Sequence, residues 1–157
     1  MKKIILGALC ALGLFATANA QDTFRKNDNV LNVGIGLSTG DLSVSLPPLS
    51  VTYERCVADG IIDNGSLGIG LQGEVLAYKG DGIALFAGPR LAFHYEFAEN
   101  LDTYIGVQAG LAFASSKASF GVDGVLGARY YLGEKWGVFA ELGTGLSTLK
   151  LGATFRM

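Results

Sequence analysis

The sequence is poor in cysteine, in charge and in long apolar runs, and each shortage excludes a class of protein. Its two cysteines are Cys10 and Cys56, and the first lies inside an N-terminal export signal, so the mature chain cannot form an internal disulfide. Charged residues make up only 17% of the chain, against about a quarter in ordinary soluble proteins. The formal net charge of −2 gives no basic excess, and we expect no nucleic-acid partner. No apolar run after Ala20 is long enough to form a membrane-spanning helix.

The first twenty residues have the three parts of a secretory signal. Two lysines follow the first methionine, an apolar core runs from Ile4 to Ala18, and a small-residue cleavage site ends at Ala20. The apolar core is too short to span a bilayer comfortably. We therefore predict a cleaved signal peptide over residues 1–20 and a single barrel domain over residues 21–157. Residues 21–29 are polar and are predicted to be a short leader on the periplasmic side.

Eight later stretches alternate between apolar residues and small or polar ones, which is the period of a β-strand with two unlike faces. Most are close to the 9–11 residues that a tilted strand needs to cross a bilayer, and turn-forming residues separate them. The pattern predicts an all-β, eight-stranded antiparallel up-and-down transmembrane β-barrel. The predicted strands are 30–38, 49–57, 66–78, 83–97, 102–113, 120–132, 136–144 and 149–157. Pro89 falls inside the fourth strand and predicts a bulge or a locally broken ladder there.

Glycines and charges share the polar parity of these strands. Glycine is a poor choice for a surface in water, but it suits a narrow barrel interior in which inward side chains share little volume. The acidic and basic charges are nearly balanced, as an interior ion-pair network requires. We therefore expect the apolar parity to face lipid and the polar parity to face the bore. The charges on the polar parity are Glu54, Glu74, Arg90, Glu96, Asp102, Asp123, Arg129, Glu141, Lys150 and Arg156.

Several aromatic residues fall near one end of the predicted strands. If the N-terminus is periplasmic, these residues gather at the periplasmic rim, where an interfacial aromatic girdle is expected of such barrels. Aromatic residues are also good strand formers, which is the simpler explanation for any one of them. The predicted girdle consists of Tyr53, Tyr95, Phe97, Tyr130, Trp136 and Phe155.

Three charges of the last strands are predicted to form a cluster in the bore. The turn after the sixth strand puts Arg129 diagonally across from Glu141, and the next turn puts Lys150 diagonally on the other side. The cluster would satisfy buried charge, and a sharper alternative is that it gates or selects solutes. His94 is the only histidine and shares the inner parity, so we interpret it as a bore residue satisfied by its neighbours. We predict no catalytic residue, no cofactor and no metal site.

The strand number, the alternation and the C-terminal strand resemble the small eight-stranded outer-membrane β-barrels of Gram-negative bacteria, of the outer-membrane protein A transmembrane domain and outer-membrane protein X type. In that family the assembly machinery reads a last strand that ends in an aromatic residue. Here the alternation is intact, but the aromatic is Phe155 and the terminal residue is Met157. The resemblance implies residence in the cell outer membrane, with outer-membrane lipid and the assembly machinery as partners.

Three functional hypotheses follow. The first is a monomeric integral outer-membrane barrel with a structural or surface role and no catalysis. The second is a narrow, porin-like solute pore, because a glycine-lined bore could hold water. The third is a soluble periplasmic lipid-binding barrel, with the apolar parity inside around a ligand. Fold alone does not choose among them.

Overall fold

The structure is a computed structural model, and it describes residues 23–37, 44–78, 82–114 and 117–157. The predicted signal peptide, residues 1–20, lies outside the described residues. In the described part of the chain, no helix is long and apolar enough to cross a membrane.

Eight antiparallel strands pair in chain order, and β8 pairs with β1, so that the sheet closes into a barrel. This confirms the predicted fold class. Each strand pairs with its two sequence neighbours because short connections favour adjacent antiparallel strands. The strands are β1 (Asn29–Leu37), β2 (Val44–Asp59), β3 (Gly65–Tyr78), β4 (Gly82–Ala98), β5 (Leu101–Ala114), β6 (Lys117–Tyr131), β7 (Trp136–Gly143) and β8 (Leu149–Arg156).

The apolar parity faces outward and the polar parity faces the bore. On the outer wall Val107 is 53% exposed and Leu126 is 55% exposed, whereas the inward side chain of Arg129 has no exposed surface. One charge departs from this division, because Arg55 is exposed on the outer face of β2, where its guanidinium donates a hydrogen bond to Asn27. It lies beyond Tyr53, toward the Asp59 end of β2.

The strand ends correct two sequence predictions. β2 begins at Val44 and therefore contains Pro47 and Pro48, which the sequence placed in a link. The β2–β3 register shifts twice between Val44 and Leu49, so the prolines sit at an irregular part of the ladder, where a missing donor is tolerated. At Pro89 the β4–β5 pairs are interrupted between Ala87 and Arg90 without a change of register. Of the two predicted alternatives, the structure shows the locally broken ladder and not the bulge.

The barrel wall is not of uniform height. β1, β7 and β8 have 9, 8 and 8 residues, whereas β2 to β6 have 14 to 17. With a rise of about 3.3 Å per residue and a tilt of about 40°, eight residues reach about 20 Å along the barrel axis and fourteen reach about 35 Å. Along the barrel axis β2 to β6 are therefore about 15 Å longer than β1, β7 and β8.

Candidate functional site

A buried network of ion pairs crosses the middle of the bore, and Arg129 is one of its centres. Its Nη2 lies 3.1 Å from Glu54 Oε2, and its Nη1 lies 3.0 Å from Asp102 Oδ2. Asp102 and Arg129 are cross-strand partners on the neighbouring strands β5 and β6, whereas Glu54 comes from β2, which is not a neighbour of either. Two carboxylates on one guanidinium satisfy a charge that would be very costly if it were buried alone.

Arg90 is the second centre of the network. Its Nη2 lies 2.7 Å from Glu141 Oε2, and its Nε lies 3.4 Å from Glu54 Oε2, so that Glu54 joins the two arginines. Gln72 accepts a hydrogen bond of 3.1 Å from Arg90 Nη1, and the Tyr104 hydroxyl donates one of 3.0 Å to Glu141. The charges therefore form one connected network.

The structure brings the three residues of the predicted cluster into this network but pairs them differently. Lys150 Nζ lies 3.0 Å from Glu141 Oε1, and the two residues are direct cross-strand partners, which corrects the predicted diagonal placement. Arg129 is diagonal to Glu141 along β6 and β7, as its pairing with Phe139 shows, but its guanidinium binds Asp102, its direct partner on β5, and Glu54 of β2 across the bore. Closure of the sheet brings Glu54 of β2 to Arg129 from a strand that is not its neighbour.

His94 lies between two carboxylates of the same network. Its Nδ1 is 2.9 Å from Asp102 Oδ1, and its Nε2 contacts Glu54. Its ring packs on Phe24, with the ring centroids 4.3 Å apart. Both ring nitrogens thus face acidic partners, and the imidazole is held in place, as the sequence interpretation of a bore residue satisfied by its neighbours expects. Among the residues that the structure describes, no group of three or more His, Cys, Asp or Glu side chains is arranged to hold a metal ion.

The segment Thr23–Asp28 closes the mouth of the barrel at the end where β1 begins, which is the end predicted to be periplasmic. Thr23 and Phe24 are buried; the Thr23 N–H donates to Glu96, and the Thr23 carbonyl accepts from Arg156. The backbone of Asn27 and Asp28 pairs with that of Cys56 through bonds of 3.0 and 2.9 Å. Phe24 thereby points into the bore.

The sequence predicts this segment as part of a short leader and does not predict its anchoring inside the mouth. The sequence signal that could have found it is an aromatic residue in an otherwise polar stretch. A polar pocket of about 260 Å³ remains beside the segment.

The opposite end of the bore is closed by the β7–β8 turn and by apolar side chains. Ser147 of the turn is buried and donates to Glu74, which also receives Lys150 at 3.5 Å. An inward apolar layer lies at this end. Its members are Pro48, Leu76, Ala84, Phe86 and Val125.

All six residues of the predicted aromatic girdle lie on the outer face at the end of the barrel where β1 begins. Trp136 pairs with Phe155 across β7 and β8, and Tyr95 packs edge-on against Phe97 with ring centroids 4.7 Å apart. The Tyr53 hydroxyl donates to Asn29 at 2.8 Å. That this band lies at a membrane interface stays a prediction.

No family model and no curated protein sequence matches the chain. Among solved structures it is similar to Ail, the attachment invasion locus protein of Yersinia pestis, with 12% identity, a TM-score of 0.57 and coverage of 84% of this chain and 99% of that one. It is also similar to a de novo designed transmembrane β-barrel, with 15% identity, a TM-score of 0.53 and coverage of 85% and 98%. Neisserial surface protein A (NspA) matches at 14% identity and a TM-score of 0.49, covering 83% and 94%.

The first two similarities establish the fold. The chain has the architecture of a small eight-stranded transmembrane β-barrel, with an apolar outer wall and charged side chains in the bore.

Proposed function

We propose that the chain is a monomeric integral outer-membrane β-barrel with a structural or surface role, without catalysis and closed to solutes. The observation that carries the proposal is the division of the wall, with exposed apolar side chains outside and a buried ion-pair network inside. Such a wall is stable only when hydrocarbon covers it, because an apolar surface of this extent in water drives association. Outer-membrane lipid is then its first partner, and the assembly machinery would read β8.

The filled bore argues against the porin-like alternative. An open pore requires a polar lumen wide enough for water, whereas eight strands leave an interior that side chains can fill. Here Arg90 and Arg129 cross the middle, Phe24 fills the periplasmic mouth, and Ser147 closes the other end. Solute passage would require several of these contacts to break together.

The soluble lipid-binding alternative requires the opposite orientation of the strands. A lipid-binding barrel encloses its ligand with apolar side chains, but the buried residues on the inner parity include Glu54, Arg90, Asp102, Arg129 and Glu141. These charges favour a membrane barrel over a lipid carrier.

A surface role is supported by the five long strands, which carry the wall beyond β7, β8 and β1. An apolar band of about 25 Å leaves about 10 Å of a fourteen-residue strand above it. The name of the similar protein Ail refers to attachment and invasion, which are processes of a cell surface. The tall part of this wall would be the part that faces the exterior.

Cell fractionation followed by heat-modifiable gel migration tests membrane residence, and planar-bilayer recording then tests transport. We expect the mature protein in the outer-membrane fraction, faster migration of the unheated sample and no conductance steps. A protein that stays in solution without detergent would contradict the membrane proposal. Regular conductance steps would favour the solute-pore hypothesis instead.

A further inference from the structure

Among the described strands, Arg55 is the one charged residue on the outer, apolar parity. Its side chain is exposed, and its Nη2 donates a hydrogen bond of 3.2 Å to Asn27 Oδ1. In the part of the chain that the structure describes, no carboxylate pairs with this guanidinium. A charge on a wall that faces hydrocarbon is costly unless it finds an ionic partner or reaches the interface. The wall therefore presents a cation whose ionic partner lies outside the chain.

The contacts around Arg55 hold one of its donors and leave others available. The backbone of Asn27 is fixed by the bond from its N–H to the Cys56 carbonyl, at 3.0 Å. Asp28 and Asp59 accept the backbone N–H groups of the two residues before Asn27, at 2.9 and 3.0 Å. A guanidinium carries several N–H donors in a planar fork, which suits the oxygens of a phosphate. Arg55 can therefore bind an anion without giving up Asn27.

An apolar groove begins near Arg55 and crosses the outer wall from β3 to β7. Its volume is about 680 Å³, within the roughly 300–1,000 Å³ of pockets that hold a small ligand. Its lining starts at Leu67, near the end of β3 that lies at the same mouth as Arg55. It reaches Gly143, the last residue of β7, toward the opposite end of the barrel. The groove thus climbs the wall from the level of the cation.

The strand pairing leads from the cation into this groove. A line of directly paired, outward residues runs across five strands. In order, its members are Arg55, Ile69, Leu91, Val107 and Gly124. The last three line the groove, and such rows climb a barrel wall because the strands are tilted. A Cβ at Gly124 would meet nothing within 4 Å, so the absence of a side chain there keeps the groove open.

We infer that Arg55 and this groove form a binding site for a glycerophospholipid of the leaflet at the mouth that the Thr23–Asp28 segment closes. Arg55 would bind the phosphate, and the groove would hold an acyl chain. Charge complementarity selects this occupant, because the lining is mainly apolar and the cation lies at its mouth end. The inference rests on the proposed function, since it names one lipid contact of a wall that the proposal places in a membrane.

The phosphate contact is tested by titrating the mature barrel in detergent with phosphatidylglycerol and counting bound lipid by native mass spectrometry. Arg55→Gln should weaken binding about tenfold, because it removes a charge-assisted contact to the phosphate. Lys135→Gln is the matched control, since Lys135 is exposed in the β6–β7 turn at the same end of the barrel, and it should leave binding unaltered. Diacylglycerol has the same chains without the phosphate and should bind weakly and equally to both variants.

The groove is tested by filling it. Gly124→Leu places a side chain in the groove, whereas Gly73→Leu adds the same side chain to the outer face of β3 at a position that does not line it. A Cβ at either glycine meets no atom within 4 Å, so both variants should fold and keep their heat-modifiable migration. Gly124→Leu should weaken phosphatidylglycerol binding about fivefold through lost acyl-chain burial, and Gly73→Leu should not.

The inference is overturned if Arg55→Gln and Lys135→Gln bind phosphatidylglycerol alike, or if Gly124→Leu binds it as Gly73→Leu does. Tighter binding of lipid A than of phosphatidylglycerol at Arg55 would name the lipid of the opposite leaflet and overturn the occupant proposed here. A dimer in sedimentation that Gly124→Leu abolishes would overturn it in favour of a second copy of the chain. If no lipid binds while the protein remains in the membrane fraction, only this inference is lost; a protein that is soluble without detergent would remove the proposed function as well.

Discussion

The two faces of the strands carry side chains of opposite chemistry on the same backbone. On the outer face, apolar side chains such as Leu126 and Val107 are more than half exposed. On the inner face, the charged side chains of Arg129 and Glu54 are fully buried and form an ion pair with each other. In a soluble barrel the apolar side chains face the interior. The medium around the barrel, and not the alternation alone, therefore decides which face of a strand is turned inward.

The largest expected effect comes from the inner face. Arg129→Met removes the partner of Glu54 and Asp102 and leaves two carboxylates buried without it, which should destabilise the barrel by about 3 to 5 kcal/mol. Urea unfolding in lipid vesicles, followed by the fluorescence of Trp136, measures this change. Lys135→Met in the exposed β6–β7 turn is the control and should change stability by less than about 0.5 kcal/mol. Equal effects of the two substitutions would mean that the network does not hold the bore together.

The outer face should give the next largest effect. Leu126→Lys places a charge near the middle of the apolar wall and should cost about 2 to 4 kcal/mol in a bilayer. Ile61→Lys is matched in chemistry and in exposure, since Ile61 is 51% exposed, but it lies in the β2–β3 turn and should cost little. The same vesicle assay applies. If both lysines are tolerated equally, the wall is not in contact with hydrocarbon.

The alternation in the sequence was sufficient to predict the closed barrel and the direction of its faces. A period of two fixes which residues share a face, and the chemistry of the charged parity decides between bore and exterior. The strand ends were less predictable, because Pro47 and Pro48 indicate a link unless the irregular β2–β3 register is known.

The partners within the bore could not be predicted in the same way. Glu141 and Lys150 are neighbours on adjoining strands, so turn geometry places them together. Arg129 and Glu54 are 75 residues apart, and they meet only because the sheet closes with a particular stagger between its strands. That stagger is a property of the whole barrel, and no short segment encodes it. The insertion of Phe24 has the same origin, since its pocket exists only after closure.

Two glycines, one on each face of the strands, compare the inner and outer faces with a smaller expected effect. Gly110 is inward, and an added Cβ would meet the carbonyl group of Ala87 and the Cα of Gly88, whereas a Cβ on the outward Gly124 would meet nothing within 4 Å. Gly110→Ala should therefore destabilise by about 1 to 3 kcal/mol, and Gly124→Ala should be neutral or stabilising by up to about 1 kcal/mol. Urea unfolding curves of the two variants, measured side by side, test these expected changes in stability. If Gly124→Ala lowers the free energy of unfolding more than Gly110→Ala does, the assignment of these two glycines to the outer and inner faces is wrong.

The smallest effect on global stability is expected at the mouth that the Thr23–Asp28 segment closes, where Phe24 can leave without opening the sheet. Phe24→Ala removes the side chain that packs on His94 and should let the Thr23–Asp28 segment open locally. Cys56 reports this event, because it is fully buried and its sulfur lies 3.8 Å from the Phe24 carbonyl.

Thiol labelling of Cys56 should become about tenfold faster in the variant, while the urea midpoint stays nearly unchanged. Phe97→Ala, on the outer face at the same end of the barrel, is the control and should leave the labelling rate unaltered. If the two variants label equally, Phe24 does not hold the mouth closed, and access to Cys56 is limited by opening of the strands themselves.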